Sequence, residues 1–293
     1  VDITTVLNYN ELEILSKSEG LSVIIIGEKI NSTLKKIRPA IANYDAKAIQ
    51  DLALKQIEAG ADYIDLNAGM FHEDEPDRLE WLVKTVQEVT DKPLVMDSPN
   101  PVALRRGLET NKNGKPIINS ITNEEERFNE VLPLIKEFNT KVVALCMDDT
   151  GMPETDEDRV NIARSLITKL SAEGVAHEDI FIDPLIRPIG TGSHYGRVAL
   201  ETMRKVKEEF PNVHITCGLS NISFGIPARK LMNQTFLVAA VTSGMDGAIL
   251  DPMDRNLMTF LYAAEALMGH DDFCMEYLTA YREGKLEGFP PKE

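Results

Sequence analysis

The side chains able to do chemistry in this sequence are mostly Asp and Asn, and they stand just after short apolar runs. Val23–Ile26 leads into Glu28 and Asn31, Tyr63–Leu66 delivers Asp65 and Asn67, and Leu94–Met96 ends on Asp97 and Ser98. The same placement gives Asn119, Asp183, Ser220 with Asn221, and Asp251. One carboxylate can accept two parallel N–H bonds, and each asparagine offers both a donor and an acceptor. Such a ring suits a planar, neutral heterocycle with adjacent N–H donors, such as the amino-pyrimidinone edge of a pterin or a purine. Asp, Asn and Ser are also good helix N-caps, and capping accounts equally well for any one of these positions. It does not account for seven run ends at once.

Other chemistries find little support. A Schiff-base enzyme needs a lysine at a strand end, and only Lys29 comes close. A zinc site needs clustered His or Cys, whereas His72, His177, His194, His214 and His270 are dispersed and Cys146, Cys217 and Cys274 form no C-x-x-C pair. His72 before Glu73, Asp74 and Glu75 reads as a solvated loop. Cys146 and Cys217 lie in apolar runs and read as small buried hydrophobes. Gly190-Thr191-Gly192 alone is a weak phosphate signal.

The elements that must position these residues repeat as a short apolar run, a turn and a helical stretch. Runs at 23–26, 63–66, 94–96, 116–118, 141–147, 180–182, 214–219 and 247–250 alternate with helices beginning near Ala46, Asp77, Pro101, Asn123, Asp156, Arg197, Arg229 and Asn256. The first of these helices stops at Gly60, where a left-handed residue is expected. Non-alternating apolar strands imply a parallel sheet covered on both faces. Eight such units predict an α/β fold, a (β/α)8 TIM barrel, as a single domain over residues 1–293. The first twenty residues form a short N-terminal arm in this reading, and 271–284 an extra C-terminal helix. In a barrel the active site occupies the C-terminal ends of the strands, where the Asp and Asn residues collect.

The chain is 43% hydrophobic and 27% charged, as expected of a globular protein. Its 31 basic and 47 acidic side chains give a net charge of −16, which argues against a nucleic-acid partner. With no apolar run near membrane-spanning length, no signal-peptide pattern and no disulfide framework, no membrane association and a cytoplasmic location are expected.

The series Gly27-Glu28-Lys29-Ile30-Asn31, Asp65-Leu66-Asn67, Met96-Asp97-Ser98, Ile118-Asn119-Ser120, Ile182-Asp183-Pro184-Leu185 and Gly218-Leu219-Ser220-Asn221-Ile222-Ser223 resembles the methyltetrahydrofolate-dependent corrinoid methyltransferases. The match runs in order from about Ile24 to Leu267; the Gly-Leu-Ser-Asn and Asp-Pro-Leu runs are its most specific parts. The resemblance implies transfer of a methyl group between tetrahydrofolate and the cobalt of a corrinoid (cobalamin), as in O-demethylase or acetogenic one-carbon systems. By it, Asp97, Asn119 and Asp183 hold the pterin ring, and Asn221 is the catalytic residue, hydrogen-bonding the nitrogen that carries the methyl. Glu28, Asn31, Asp65, Asn67, Ser98, Asp148 and Ser220 complete the substrate pocket, and Arg229 lies beside it. Lys29, Arg229 and Lys230 could attract the folate's glutamate tail.

No Asp-x-His-x-x-Gly motif is present, so the corrinoid is expected on a partner protein, with no metal bound by this chain. A homodimer is implied by the resemblance. Two departures stand out: Phe224-Gly225-Ile226-Pro227 and Asp148 replace more polar residues and Asn, respectively, of the acetogen enzyme. Dihydropteroate synthase is the rival pterin barrel, but it carries an Asn-x-Thr-Pro-Asp-Ser-Phe stretch where this chain reads Asn31-Ser32-Thr33-Leu34-Lys35. A non-catalytic pterin or corrinoid-protein docking module is the alternative from another class.

Overall fold

The computed structural model describes residues 22–290, so the expected N-terminal arm lies outside the described residues. Eight parallel strands form one sheet: β1 (Ile24–Asn31), β2 (Tyr63–Asn67), β3 (Leu94–Asp97), β4 (Ile117–Thr122), β5 (Lys141–Leu145), β6 (Ile180–Asp183), β7 (His214–Ile215) and β8 (Gly247–Leu250). Each strand pairs with its neighbour in sequence, and β1 pairs with β8. The seam between β7 and β8 closes through a parallel bridge, Gly218 with Ile249, and through Ile249 N donating to Cys217 O at 3.0 Å. The result is a (β/α)8 barrel.

Helices α1 (Arg38–Ala42), α2 (Ala46–Glu58), α3 (Glu75–Gln87), α4 (Pro101–Thr110), α5 (Glu125–Phe138), α6 (Asp156–Ala172), α7 (Tyr195–Glu209), α8 (Arg229–Thr242) and α9 (Arg255–Met268) surround it. The extra C-terminal helix is α10 (Met275–Arg282). Local sequence explains several starts. Asp45 caps α2 by accepting from Ala48 N, Asn100 caps α4 ahead of Pro101, and Thr155 with Asp158 forms a reciprocal capping box at α6. Gly60, after α2, has φ +105°, a conformation that glycine adopts without the Cβ penalty.

Side chains on a strand alternate between its faces. The outward set, including Ile64, Leu66, Leu94, Met96, Ile118, Val142, Ala144, Ile180 and Ile182, belongs to the large core shared with the helices. The inward set forms a second cluster, Ile26, Val95, Ile117, Val143, Phe181 and Ile249, that fills the barrel. Both faces are therefore apolar, which is why the strands read as continuous hydrophobic runs. Two residues beyond this inner layer, the same alternation places Glu28, Asp97, Asn119, Leu145 and Asp183 at the barrel mouth, and Asp65 stands two beyond Tyr63.

Three strands differ from the sequence expectation: β4, expected at 116–118, runs on to Thr122 through a register shift between Asn119 and Ile121. β1 continues past Gly27 to Asn31, pairing with β2 through a register shift between Gly27 and Ile30. β7 is only two residues long, because the chain past Cys217 turns into a 3-10 segment, Leu219–Ser223.

Candidate active site

A cavity of about 400 Å3 opens at the C-terminal end of the barrel. β1 contributes Glu28 and Asn31 to its wall, β2 Asp65, β3 Asp97, and β4 Asn119 and Ser120. Leu145, Asp183, Leu185, Ile186, Gly218, Ser220, Asn221 and Ile249 close the other side, and Thr33 with Leu34 the rim. The floor is apolar and the walls are acidic.

Asp97 is fixed from behind. Its Oδ2 accepts from Asn67 Nδ2 at 2.9 Å, while Asn67 Oδ1 accepts from Ser32 Oγ at 2.9 Å and from Gly69 N at 3.1 Å. Those two donors oblige the amide to present its NH2 to the carboxylate. Asp183 Oδ1 accepts from Leu185 N at 2.8 Å, and Leu185 itself has φ +59°. Asp65 is fully buried, and its Oδ1 has no hydrogen-bond partner.

Asn221 is exposed at the mouth, on the Leu219–Ser223 turn. A Cβ at Gly218 would stand 3.0 Å from Asn221 Nδ2, so the glycine permits the amide to fold back over the strand end. Arg229 fixes that turn from α8, donating through Nε to Ser223 Oγ at 3.0 Å and through Nη2 to Ser220 O at 2.8 Å.

Burial raises every carboxyl in the cavity above the ordinary range. Asp183 is pushed up to about 7 by desolvation, against the main-chain donors of Leu185 and Gly218 and the charge of Arg159. Glu28 also rises to about 7 by desolvation, opposed by Lys29 and assisted by Asp251. Asp97 reaches about 6, desolvation again leading and Asn67 holding it down. Asp65 lies well above its usual value because of burial and the neighbouring Asp97, with a hydrogen bond from Asn119 opposing. An array of this kind binds a neutral ligand rich in N–H donors and repels an anionic one.

Most of the expected pocket residues therefore share one cavity, but four do not line it. Asn67 stands behind Asp97, and Arg229 lies in an adjoining groove with Glu28, Lys29 and Lys230. Ser98 is buried on the outward side of β3, donating to Glu75 Oε1 at 2.6 Å and accepting from Asn100 N at 2.9 Å. Strand alternation after Asp97 dictates that direction, so Ser98 is not a pocket residue. Asp148 is not one either. The chain turns away after β5, and Asp148 Oδ1 accepts from Thr150 N and Oγ1 at 2.9 and 2.6 Å beside a separate groove with Met152 and Glu154.

Lys29 and Lys230 are held by Asp251 at 2.9 Å and Asp254 at 3.0 Å. Leu145 and Ile249 escaped the sequence reading although period-2 counting from Val143 and Gly247 points to them. Leu185 and Ile186 carry no such signal, since a loop after β6 places them.

Comparison with known proteins agrees with this geometry. Residues 27–251 match the family described as pterin binding enzyme. The chain is 38% identical over 267 residues to the methylcorrinoid:tetrahydrofolate methyltransferase of Eubacterium limosum, covering 90% of this chain and 98% of that protein. It is 33% identical over 256 residues to the methionine synthase of Mycobacterium tuberculosis, matching 81% of this chain but 21% of that longer protein. Among solved structures, dihydropteroate synthase of Yersinia pestis superposes with a TM-score of 0.63 at 16% identity, over 84% of this chain and 93% of that one, a likeness of fold alone. Together, the carboxylate-lined barrel mouth and a family match spanning β1 to β8 lead to one conclusion: the chain belongs to the pterin-binding enzymes.

Proposed function

We propose that this chain is a methyltransferase that moves a methyl group between tetrahydrofolate and the cobalt of a corrinoid carried by a partner protein. The observation that carries the reading is the placement of Asn221, an exposed amide at the mouth of a buried, carboxylate-lined cavity. The match along 98% of the E. limosum methyltransferase supports it.

In this reading Asp97, Asn119 and Asp183 accept and donate the hydrogen bonds of the pterin edge, with Asp65 and Glu28 beside them. The methyl-bearing nitrogen faces the mouth. An amine nitrogen leaves poorly unless the charge developing on it is met by a donor, and the Asn221 amide meets it without titrating. Cobalt(I) of the partner's corrinoid attacks the methyl carbon in line as the carbon–nitrogen bond breaks, the nitrogen keeping that electron pair and taking a proton from water at the open mouth. In reverse, the folate nitrogen attacks the methyl of methylcobalt(III), and the same contacts serve. Asn31, Asn67, Ser220 and Arg229 shape and brace the pocket.

The setting we infer is an O-demethylating or acetogenic one-carbon system in the cytoplasm, with the chain acting as one pterin-binding domain in a homodimer. No helix among the described residues is long and apolar enough to cross a membrane.

The test is methyl transfer from methyltetrahydrofolate to cob(I)alamin, or from methylcobalamin to tetrahydrofolate, followed by corrinoid absorbance. A partner corrinoid protein is the second acceptor. Turnover is expected with at least one of them, and none with either sinks the proposal.

A further inference from the structure

Two arginines behind the cavity wall make no hydrogen bond or salt bridge to a carboxylate among the described residues, although Glu130 and Glu124 act through space on Arg127 and Glu154 on Arg159. Arg159, on α6, is fully buried and donates to main-chain carbonyls: Nε to Pro184 O at 2.8 Å, and Nη1 to Glu154 O and Thr155 O at 3.2 Å each. Arg127, half-buried on α5, does the same one strand pair away. It donates through Nη1 to Pro99 O at 2.7 Å, through Nη2 to Ser98 O at 2.9 Å and Ser120 O at 2.8 Å, and through Nε to Ser120 O at 3.0 Å. A guanidinium withdrawn from water without a counter-ion is costly. Here each spans two loops, and the acidic residue of the cavity lies just before a carbonyl that it grips: Asp97 before Ser98, and Asp183 before Pro184.

We propose that Arg127 and Arg159 are positioning residues of the reaction, clamping the loops that carry Asp97 and Asp183 and supplying the positive charge that these two carboxylates otherwise lack. The proposal rests on the reading of the cavity as the pterin site. The surroundings of both carboxyls give it content. Asp97 faces Asp65 and Asn67 of β2, Glu75 of α3 and Arg127 of α5, and among the described residues Arg127 is the cation that acts on it most. Asp183 faces the thiols Cys146 and Cys217, the N–H groups of Leu185 and Gly218, and Arg159. In each case a guanidinium behind the wall, fully buried at Asp183 and half-buried at Asp97, opposes burial and, at Asp97, neighbouring acids. The ionised form is the one that accepts the ligand's N–H bonds, so the arginines favour the binding-competent state while fixing its position.

Charge and clamp can be separated. Gln retains donors for the carbonyls and removes the charge; Lys retains the charge and loses the fork. Methyltetrahydrofolate binding is measured by titration calorimetry between pH ~5 and ~8, where these carboxyls titrate. Wild-type affinity is expected to fall as pH drops through about 6 to 7, where Asp97 and Asp183 protonate. In Arg127→Gln and Arg159→Gln the fall should move to higher pH, with binding weakened by up to roughly tenfold for each unit of displacement, the full factor appearing only below the wild-type midpoint. Arg127→Lys and Arg159→Lys should keep the wild-type midpoint and weaken binding by the same factor at every pH.

Gln variants that keep the wild-type midpoint overturn the proposal, whatever their affinity. Should Arg159→Gln not fold, the Arg127 pair alone decides it. A wild-type protein that does not bind methyltetrahydrofolate at all defeats the site reading instead.

Discussion

At the scale of single residues, the division of labour in the cavity follows from what each side chain can do electrically. The carboxyls titrate near neutrality because they are desolvated, so they report on pH. Asn221 does not titrate, and in the proposed reaction it is the donor that meets the reacting nitrogen. Asn221→Ala should therefore lower kcat by roughly 10²–10³-fold, the usual loss for one such donor, with KM for methyltetrahydrofolate changed little. Steady-state kinetics at several pH values check this: a collapse of KM with kcat intact would reverse the assignment. The sequence exposed Asn221 through the Gly-Leu-Ser-Asn run, but not that Gly218 gives it room or that Arg229 fixes its turn. Those contacts join residues whose relation depends on the bend after β7.

Among the elements, helix starts were the most legible because capping is local. Thr155, Asp158 and the acidic first turn of α6 are neighbours in sequence and close the capping box at the helix start expected near Asp156. Thr155→Ala should cost about 1 kcal/mol of stability, measurable by denaturant unfolding. A neutral result would mean that tertiary packing alone starts α6. Strand lengths were less legible. β1 runs on through Glu28 and Lys29 because β2 offers it partners across a register shift, and β7 stops early because the chain past Cys217 turns into a 3-10 segment, leaving a bridge at the seam with β8. Pairing of this kind is decided between strands, outside any local window. Ser98 shows the same limit in one residue: its neighbour Asp97 lines the cavity, and strand alternation turns Ser98 to the opposite face.

For the whole molecule, the acidic cavity carries a stability cost. Asp183 titrates at about 7 in the folded protein and at 3.8 as a free side chain, so the folded state holds its proton over a range where the unfolded chain has lost it. The stabilisation from that proton is complete below the unfolded value and is lost as pH rises from about 4 to about 7. Glu28 and Asp97 act in the same sense. Asp183→Asn should accordingly raise the melting temperature of the ligand-free protein at pH ~8, by about 2–4 °C for each kcal/mol relieved, and weaken methyltetrahydrofolate binding. Scanning calorimetry of both proteins at about pH 5 and about pH 8 decides it: the gain should shrink at the lower pH, where Asp183 is already neutral. An unchanged or lowered melting temperature at the higher pH contradicts this account.

By itself the sequence determined the eight strand–helix units, their parallel arrangement and the collection of Asp and Asn at the strand ends. Each of these follows from local pattern: continuous apolar runs for doubly covered strands, caps and glycines for helix limits. Asn221 was legible through a contiguous motif. Only the tertiary structure decided which polar residues face the cavity and which stand behind it. It turned Ser98 outward and Asp148 aside, placed Asn67 and Arg127 behind Asp97, and buried Arg159 next to Asp183. The physical reason is that facing and desolvation are set by barrel closure, register and the loops gripped from neighbouring helices. Those are relations among segments distant in the chain, and they fix both the direction of a side chain and the protonation state in which it works.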